Sequence, residues 1–149
     1  MARVPRATRI RRNGVEIVSK VDRANYTIEQ LVHAANVDVG KYMQSRMRKE
    51  ARQQPGMRRS KRVNKAFQYW AKRKEAILEI GVKHGTWYGE HQELGTRRQP
   101  KRGIIRGTVK QNINEIRKIQ GAYISAIEDE NRALGLLKPD EEGLSDKDE

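Results

Sequence analysis

The apolar residues of this chain change their spacing twice. From Ile28 to Met47 they recur at three- and four-residue steps, through Leu31, Val32, Ala35, Val39, Tyr42 and Met43. From Phe67 to Val82 they alternate: Phe67, Tyr69 and Ala71, then Ala76, Leu78, Ile80 and Val82. From Ile105 onward the helical steps return, through Val109, Ile113, Ile116, Ile119, Tyr123, Ile124 and Ile127. A period near 3.6 marks one face of a helix, and a period of two marks one face of a strand. The order helix, hairpin, helix predicts an α+β fold. A small antiparallel sheet packs against a long N-terminal helix, and a long C-terminal helix follows.

Local signals set the expected boundaries. Thr27 and Gln30 have capping-box spacing, so the first helix is expected from about Ile28 to about Arg52, with Pro55–Gly56 as its stop. Gly40 weakens its middle by about 1 kcal/mol relative to Ala. Lys72-Arg73-Lys74-Glu75 reads as the turn of the central hairpin. The second helix is expected over about Ile104–Ala133, with Gly135 as C-cap and Pro139 as a stop. Ahead of the first helix, Thr8–Val18 contains Asn13–Gly14, the pair favoured where both turn residues need positive φ. A short hairpin, or one strand with an exposed turn, fits that segment. These readings give a single domain over residues 1–134 and an acidic tail, expected to be disordered, over 135–149.

The alternation in the central hairpin puts Trp70 and Ile77 on the face away from the long helix. An apolar pair there needs cover, and another subunit is one source. Composition points the same way. Only 36% of the 149 residues are apolar, with one Phe and two Trp, and 34% are charged. So thin a core gains from a partner surface.

The formal charge is +13 and unevenly placed. The stretch from Glu128 onward carries a net −6, which leaves +19 on the rest. Nine basic residues lie between Arg46 and Lys65, the later ones being Arg58, Arg59, Lys61, Arg62 and Lys65 in a basic loop at about 53–65. A second group comprises Arg97, Arg98, Lys101, Arg102 and Arg106. Such clusters suit a polyanion, an acidic protein neighbour, or only solvent. The aromatics Trp70, Trp87 and Tyr88 offer stacking surfaces, but no known nucleic-acid-binding signature accompanies them.

No catalytic residues are legible. The chain has no cysteine, which removes disulfides, thiolate chemistry and Cys-ligated zinc. Its serines stand in no nucleophile-elbow motif. Gly81, Gly85, Gly89 and Gly95 match no phosphate-binding pattern and read as turn residues. His84, Glu90, His91 and Glu93 lie close in sequence, yet without metal-ligand spacing; Glu90 and Glu93 are expected in a surface turn, paired with Arg or Lys. No cofactor or metal is expected. No apolar run is long enough to span a membrane, and no apolar stretch follows the basic N-terminus as in a secretory signal.

One segment carries a resemblance. Trp87-Tyr88-Gly89-Glu90-His91-Gln92-Glu93-Leu94-Gly95-Thr96 resembles the Tyr-x-x-x-x-Glu-x-Gly-Thr signature of the small head–tail connector proteins of tailed phages, also called tail-completion, neck or minor capsid proteins. Tyr88, Glu93, Gly95 and Thr96 are the matching residues. The preceding Ile80-Gly81-Val82, the following Gln99-Pro100, and the flanking helices match the family's order of parts over most of residues 8–134. The resemblance implies a non-enzymatic virion protein, made in the host bacterial cytoplasm and located in the neck. There it would form a ring, a hexamer, among connector and tail proteins. Arg97, Arg98, Lys101, Arg102, Arg106 and Trp70 are then expected to touch a neighbour. Arg58, Arg59, Lys61, Arg62 and Lys65 are expected to face passing DNA or an acidic partner. The alternative reading is a basic cytoplasmic nucleic-acid-binding protein.

Overall fold

A computed structural model describes residues 5–54 and 65–127. Its spine is helix α1, Val21–Gln53. At 1.5 Å per residue its 33 residues extend roughly 50 Å. Two antiparallel hairpins accompany it: β1 (Thr8–Arg12) with β2 (Val15–Ser19), and β3 (Phe67–Lys72) with β4 (Ile77–Val82). Three shorter helices follow: α2 (Trp87–Leu94), α3 (Ile104–Gln111) and α4 (Ile113–Ser125). The expected α+β architecture is present, with the long helix against the β3–β4 sheet. Among the described residues no helix is long and apolar enough to cross a membrane.

The buried stripe of α1 runs through Leu31, Ala35, Val39, Met43, Met47 and Ala51. Steps of four residues overshoot a helical turn, so this stripe rotates by roughly 200° around the helix along its length. A helix buried over so wide an arc needs cover on more than one side. β3 and β4 cover one side, while α3 and α4 cover another. The main cluster joins Val39, Met43, Met47 and Ala51 to Phe67 and Ile104. A smaller cluster joins Leu31 and Ala35 to Tyr123. Among the described residues, four of the eleven buried apolar ones are alanines, so the core is thin for its span.

The β3–β4 sheet sits on one row of α1. Asn36 donates from Nδ2 to the carbonyl of Ala76, 3.2 Å away, at the hairpin turn. Four residues on, a Cβ on Gly40 would lie 2.3–2.8 Å from the Tyr69 ring, so only glycine lets that ring rest on the helix backbone. After four more, Gln44 donates from Nε2 to the carbonyl of Phe67 at 2.9 Å. Phe67, Tyr69 and Ala71 pair with Val82, Ile80 and Leu78, and these six make the inner face. Trp70 and Ile77 fall on the outer face as expected, each 47% exposed. The turn is one residue later than read from sequence: Lys72 is still in β3, and Ala76 takes a positive φ of 53° just before β4.

Three expectations need correction. Thr27 does not cap α1; the helix begins at Val21, and the Thr27 hydroxyl donates to the carbonyl of Arg23 within it. That i−4 bond is what a threonine inside a helix makes. The C-terminal helix is not continuous but breaks at Asn112. There the side chain accepts from the Tyr42 hydroxyl at 2.9 Å and donates to the carbonyl of Thr108 at 2.8 Å. Segment 87–94 is helical rather than a surface turn. The second helix, expected to about Ala133, instead ends at Ser125, with Ala126 and Ile127 in a turn. Gly135, Pro139 and the acidic tail lie outside the described residues, as do Arg58, Arg59, Lys61 and Arg62.

The N-terminal hairpin forms as predicted, with φ of 48° at Asn13 and 80° at Gly14. Every residue of β1 and β2 except Ser19 is exposed. The first ten residues of α1 contribute no buried side chain either, since burial begins at Leu31. The hairpin and the start of α1 thus form an arm projecting beyond the core.

Two outcomes test this packing. Replacing Gly40 with Ala gains helix propensity of up to about 1 kcal/mol, but overpacking against Tyr69 costs about 1–3 kcal/mol. Gly40→Ala therefore lowers the thermal midpoint by circular dichroism, whereas Gly121→Ala, which has open space in α4, raises it. Second, His33 on α1 is held below its ordinary pKa of 6.5 by burial and then by the positive charge of Arg73. The unfolded chain binds this proton more readily, so the stability contributed by neutral His33 is full above pH 6.5. It is lost as pH falls below 6.5 toward the depressed folded value. Denaturation midpoints between pH 8 and pH 5 should fall less steeply for His33→Gln than for the parent.

Candidate functional site

The corner between β4 and α3 is built from short-range constraints. The amide of Lys83 donates to the carbonyl of Ala66 at 2.7 Å, which extends the strand pairing past Val82. Thr86 then turns the chain into α2, and Gly89 on α2 meets the sheet. A Cβ there would lie 2.4 Å from Cγ1 of Val82. Gly89 is therefore a contact glycine and not a turn glycine. Of the four glycines read as turn residues, only Gly85 and Gly95 have positive φ. Tyr88, half-buried, packs against the main core.

Glu93 joins α2 to α3. Its carboxylate accepts from the amide of Ile105 at 2.9 Å and from that of Arg106 at 3.4 Å. The first amides of any helix lack intrahelical acceptors, and the N-cap of α3 is Gly103, which has no side chain to offer. Glu93 fills that role from twelve residues upstream, and its negative charge suits a helix N-terminus. Its carboxylate is thus engaged with backbone amides. Among the described residues no three His, Asp or Glu side chains gather as a metal-ligand set.

The loop between α2 and α3 is closed at its base. Gly95 has φ of 81°, and a Cβ there would lie 2.8 Å from the backbone nitrogen of Lys101. The amide of Arg102 donates to the carbonyl of Gln92 at 3.0 Å. Within the loop, Thr96 and Gln99 exchange backbone hydrogen bonds of 2.9 and 3.2 Å, and the Thr96 hydroxyl accepts from the Gln99 amide at 3.1 Å. The four motif residues therefore have distinct tasks. Tyr88 anchors, Glu93 caps, Gly95 turns and Thr96 closes the loop.

The loop displays Arg97, Arg98 and Lys101, all exposed, and Arg106 is exposed on the first turn of α3. Arg102 is half-buried at the loop's return. All five lie between the end of α2 and the first turn of α3. Trp70 does not join them, because it lies on the outer face of the β3–β4 sheet while Val82 and α2 lie at the inner one. Lys65 is exposed just ahead of β3. Sequence reasoning missed Gly89 and the Asn36, Gly40 and Gln44 row. The repeated spacing of four among small and amide residues was the available signal for the row. It also missed Asp38, whose carboxylate accepts from the Tyr123 hydroxyl and ties α4 to α1.

No family model, curated protein or solved structure matches the chain.

Removing the Glu93 carboxylate leaves two amides of α3 uncapped, at a cost of about 1–2 kcal/mol. Glu93→Ala should lower the urea midpoint accordingly, with Glu93→Gln, which keeps one acceptor, falling between it and the parent.

Proposed function

We propose that this chain is a structural assembly protein of a tailed phage or phage-like particle, a subunit of the ring in the neck that joins head and tail. The observation that carries the reading is the corner. The four residues of the signature, Tyr88, Glu93, Gly95 and Thr96, each have a task in fixing one basic loop against the body. A motif spent on display geometry suits a protein whose work is contact. The thin core and the exposed apolar residues on the arm and at Trp70 and Ile77 support the same reading, since assembly would cover them. Ring closure needs a heterologous contact that repeats around an axis. In this reading Arg97, Arg98, Lys101 and Arg106 meet an acidic neighbour or the DNA that passes through the channel.

A second reading, a basic nucleic-acid-binding protein, draws on the net charge of +13 and on the same exposed cations. The two readings part in solution. Under the neck reading, the purified chain, alone or with neck and tail proteins, gives closed rings by native mass spectrometry and negative-stain microscopy. The triple variant Arg97→Gln, Arg98→Gln, Lys101→Gln keeps the rings and lowers DNA retention in assembled particles if the loop lines the channel. It loses the rings if the loop meets a protein neighbour. A chain that stays monomeric in all these mixtures and binds DNA or RNA tightly, with steep salt dependence, belongs to the second reading.

A further inference from the structure

The N-terminal arm leaves apolar surface uncovered. In the β1–β2 register, Ile10 faces Ile17 and Arg12 faces Val15, so Ile10, Val15, Ile17 and the stem of Arg12 share one face. Arg9, Arg11, Glu16 and Val18 share the other. Ile10, Val15 and Ile17 are each at least half exposed, and Val21 and Ile28 extend the uncovered surface onto α1. A two-stranded hairpin with nothing packed on it is marginal in water. An arm of this kind is built to lie on something.

The body of the same chain carries a second uncovered face of like construction. The outer side of the β3–β4 sheet presents Trp70 and Ile77, with Glu75 and Glu79 sharing one lysine, Lys72, at 3.5 and 2.7 Å. The arm cannot fold back onto it. Only Lys20 separates β2 from α1, and the turn end of the β3–β4 sheet is fastened at Asn36. That is sixteen residues, or roughly 24 Å, further along the helix axis. We propose that the arm of one subunit lies across the outer face of the β3–β4 sheet of the next copy of this chain. Ile10, Val15 and Ile17 then cover Trp70 and Ile77, and Arg12 meets both the Trp70 ring and the carboxylates that share Lys72. The two faces differ, so the contact is head-to-tail and repeats from copy to copy.

The inference rests on the self-association that the neck reading requires, but it names a contact which that reading does not. Because the chain has no cysteine, single thiols can be placed without background. An Ile17→Cys chain and an Ile77→Cys chain, differently tagged, are mixed and treated with a short bis-maleimide. Cross-linked pairs containing one of each tag should exceed pairs of either chain with itself by about tenfold, as expected when assembly raises the effective concentration of two thiols. The double variant Ile10→Asp, Ile17→Asp, whose sites are exposed, should keep its circular dichroism and lose its oligomers. Rings that survive this double variant, or Ile17→Cys chains that link only to one another, overturn the arm contact and leave the neck reading standing. A parent chain that forms no oligomer with or without neck proteins overturns both. An arm variant that keeps its oligomers and loses DNA binding overturns the contact and makes the arm a nucleic-acid-binding element.

Discussion

The Tyr69 ring resting on Gly40 sets the distance between sheet and helix, and the rest of the molecule is arranged around that distance. With the ring on bare backbone, the Asn36 and Gln44 amides reach carbonyls at either end of the hairpin. Three tasks thus fall at successive turns of one helical row: a polar tie, a gap and a polar tie. The polar ties matter because each fastens one end of the hairpin to the helix through a hydrogen bond worth about 0.5–1.5 kcal/mol. The gap matters because it brings Phe67 down among Val39, Met43 and Met47. A larger residue at 40 would lift the sheet and loosen all three.

The opposite flank is fastened by hydroxyls. Tyr123 reaches Asp38, and Tyr42 reaches Asn112 while the Arg46 guanidinium lies 5.1 Å from the Tyr42 ring centroid. These bonds position α3 and α4 alongside the apolar contacts of Ile104, Ile105, Val109, Ile116 and Ile119. They also account for the break at Asn112. Its side chain serves Tyr42 and the Thr108 carbonyl together, and the helical ladder resumes at once with the Ile116 amide on the Asn112 carbonyl. A break of this kind lets two short helices follow the rotating stripe of α1, which one straight helix would leave.

Much of this was legible in the residues, for identifiable reasons. The switch of apolar period located the β3–β4 hairpin and both helical regions, because burial on one face is what periodicity records. The same logic hid the first two turns of α1. Val21–Tyr26 include no fully buried residue, so they carry no period, and Thr27 with Gln30 looked like a start. The break at Asn112 was invisible because apolar steps continue across it. Glu93 was visible as part of a motif but not as a cap, since its partners are amides twelve and thirteen residues away that only the closed loop brings near. Gly40 was read as a weakness by propensity alone, and its value appears only once Tyr69 is placed.

The loop between α2 and α3 has its ends tied independently of its middle. Gly95 against Lys101, Gln92 to Arg102, Thr96 to Gln99 and Glu93 to α3 hold the base, while Arg97 and Arg98 stand exposed at the tip. Loop closure entropy rises by only about 0.6 kcal/mol per doubling of length when the ends are already set. The tip is therefore a cassette. Its sequence and length are free to drift with whatever it meets, while the frame beneath keeps the same register, and a change of partner would require rewriting a handful of residues rather than the fold.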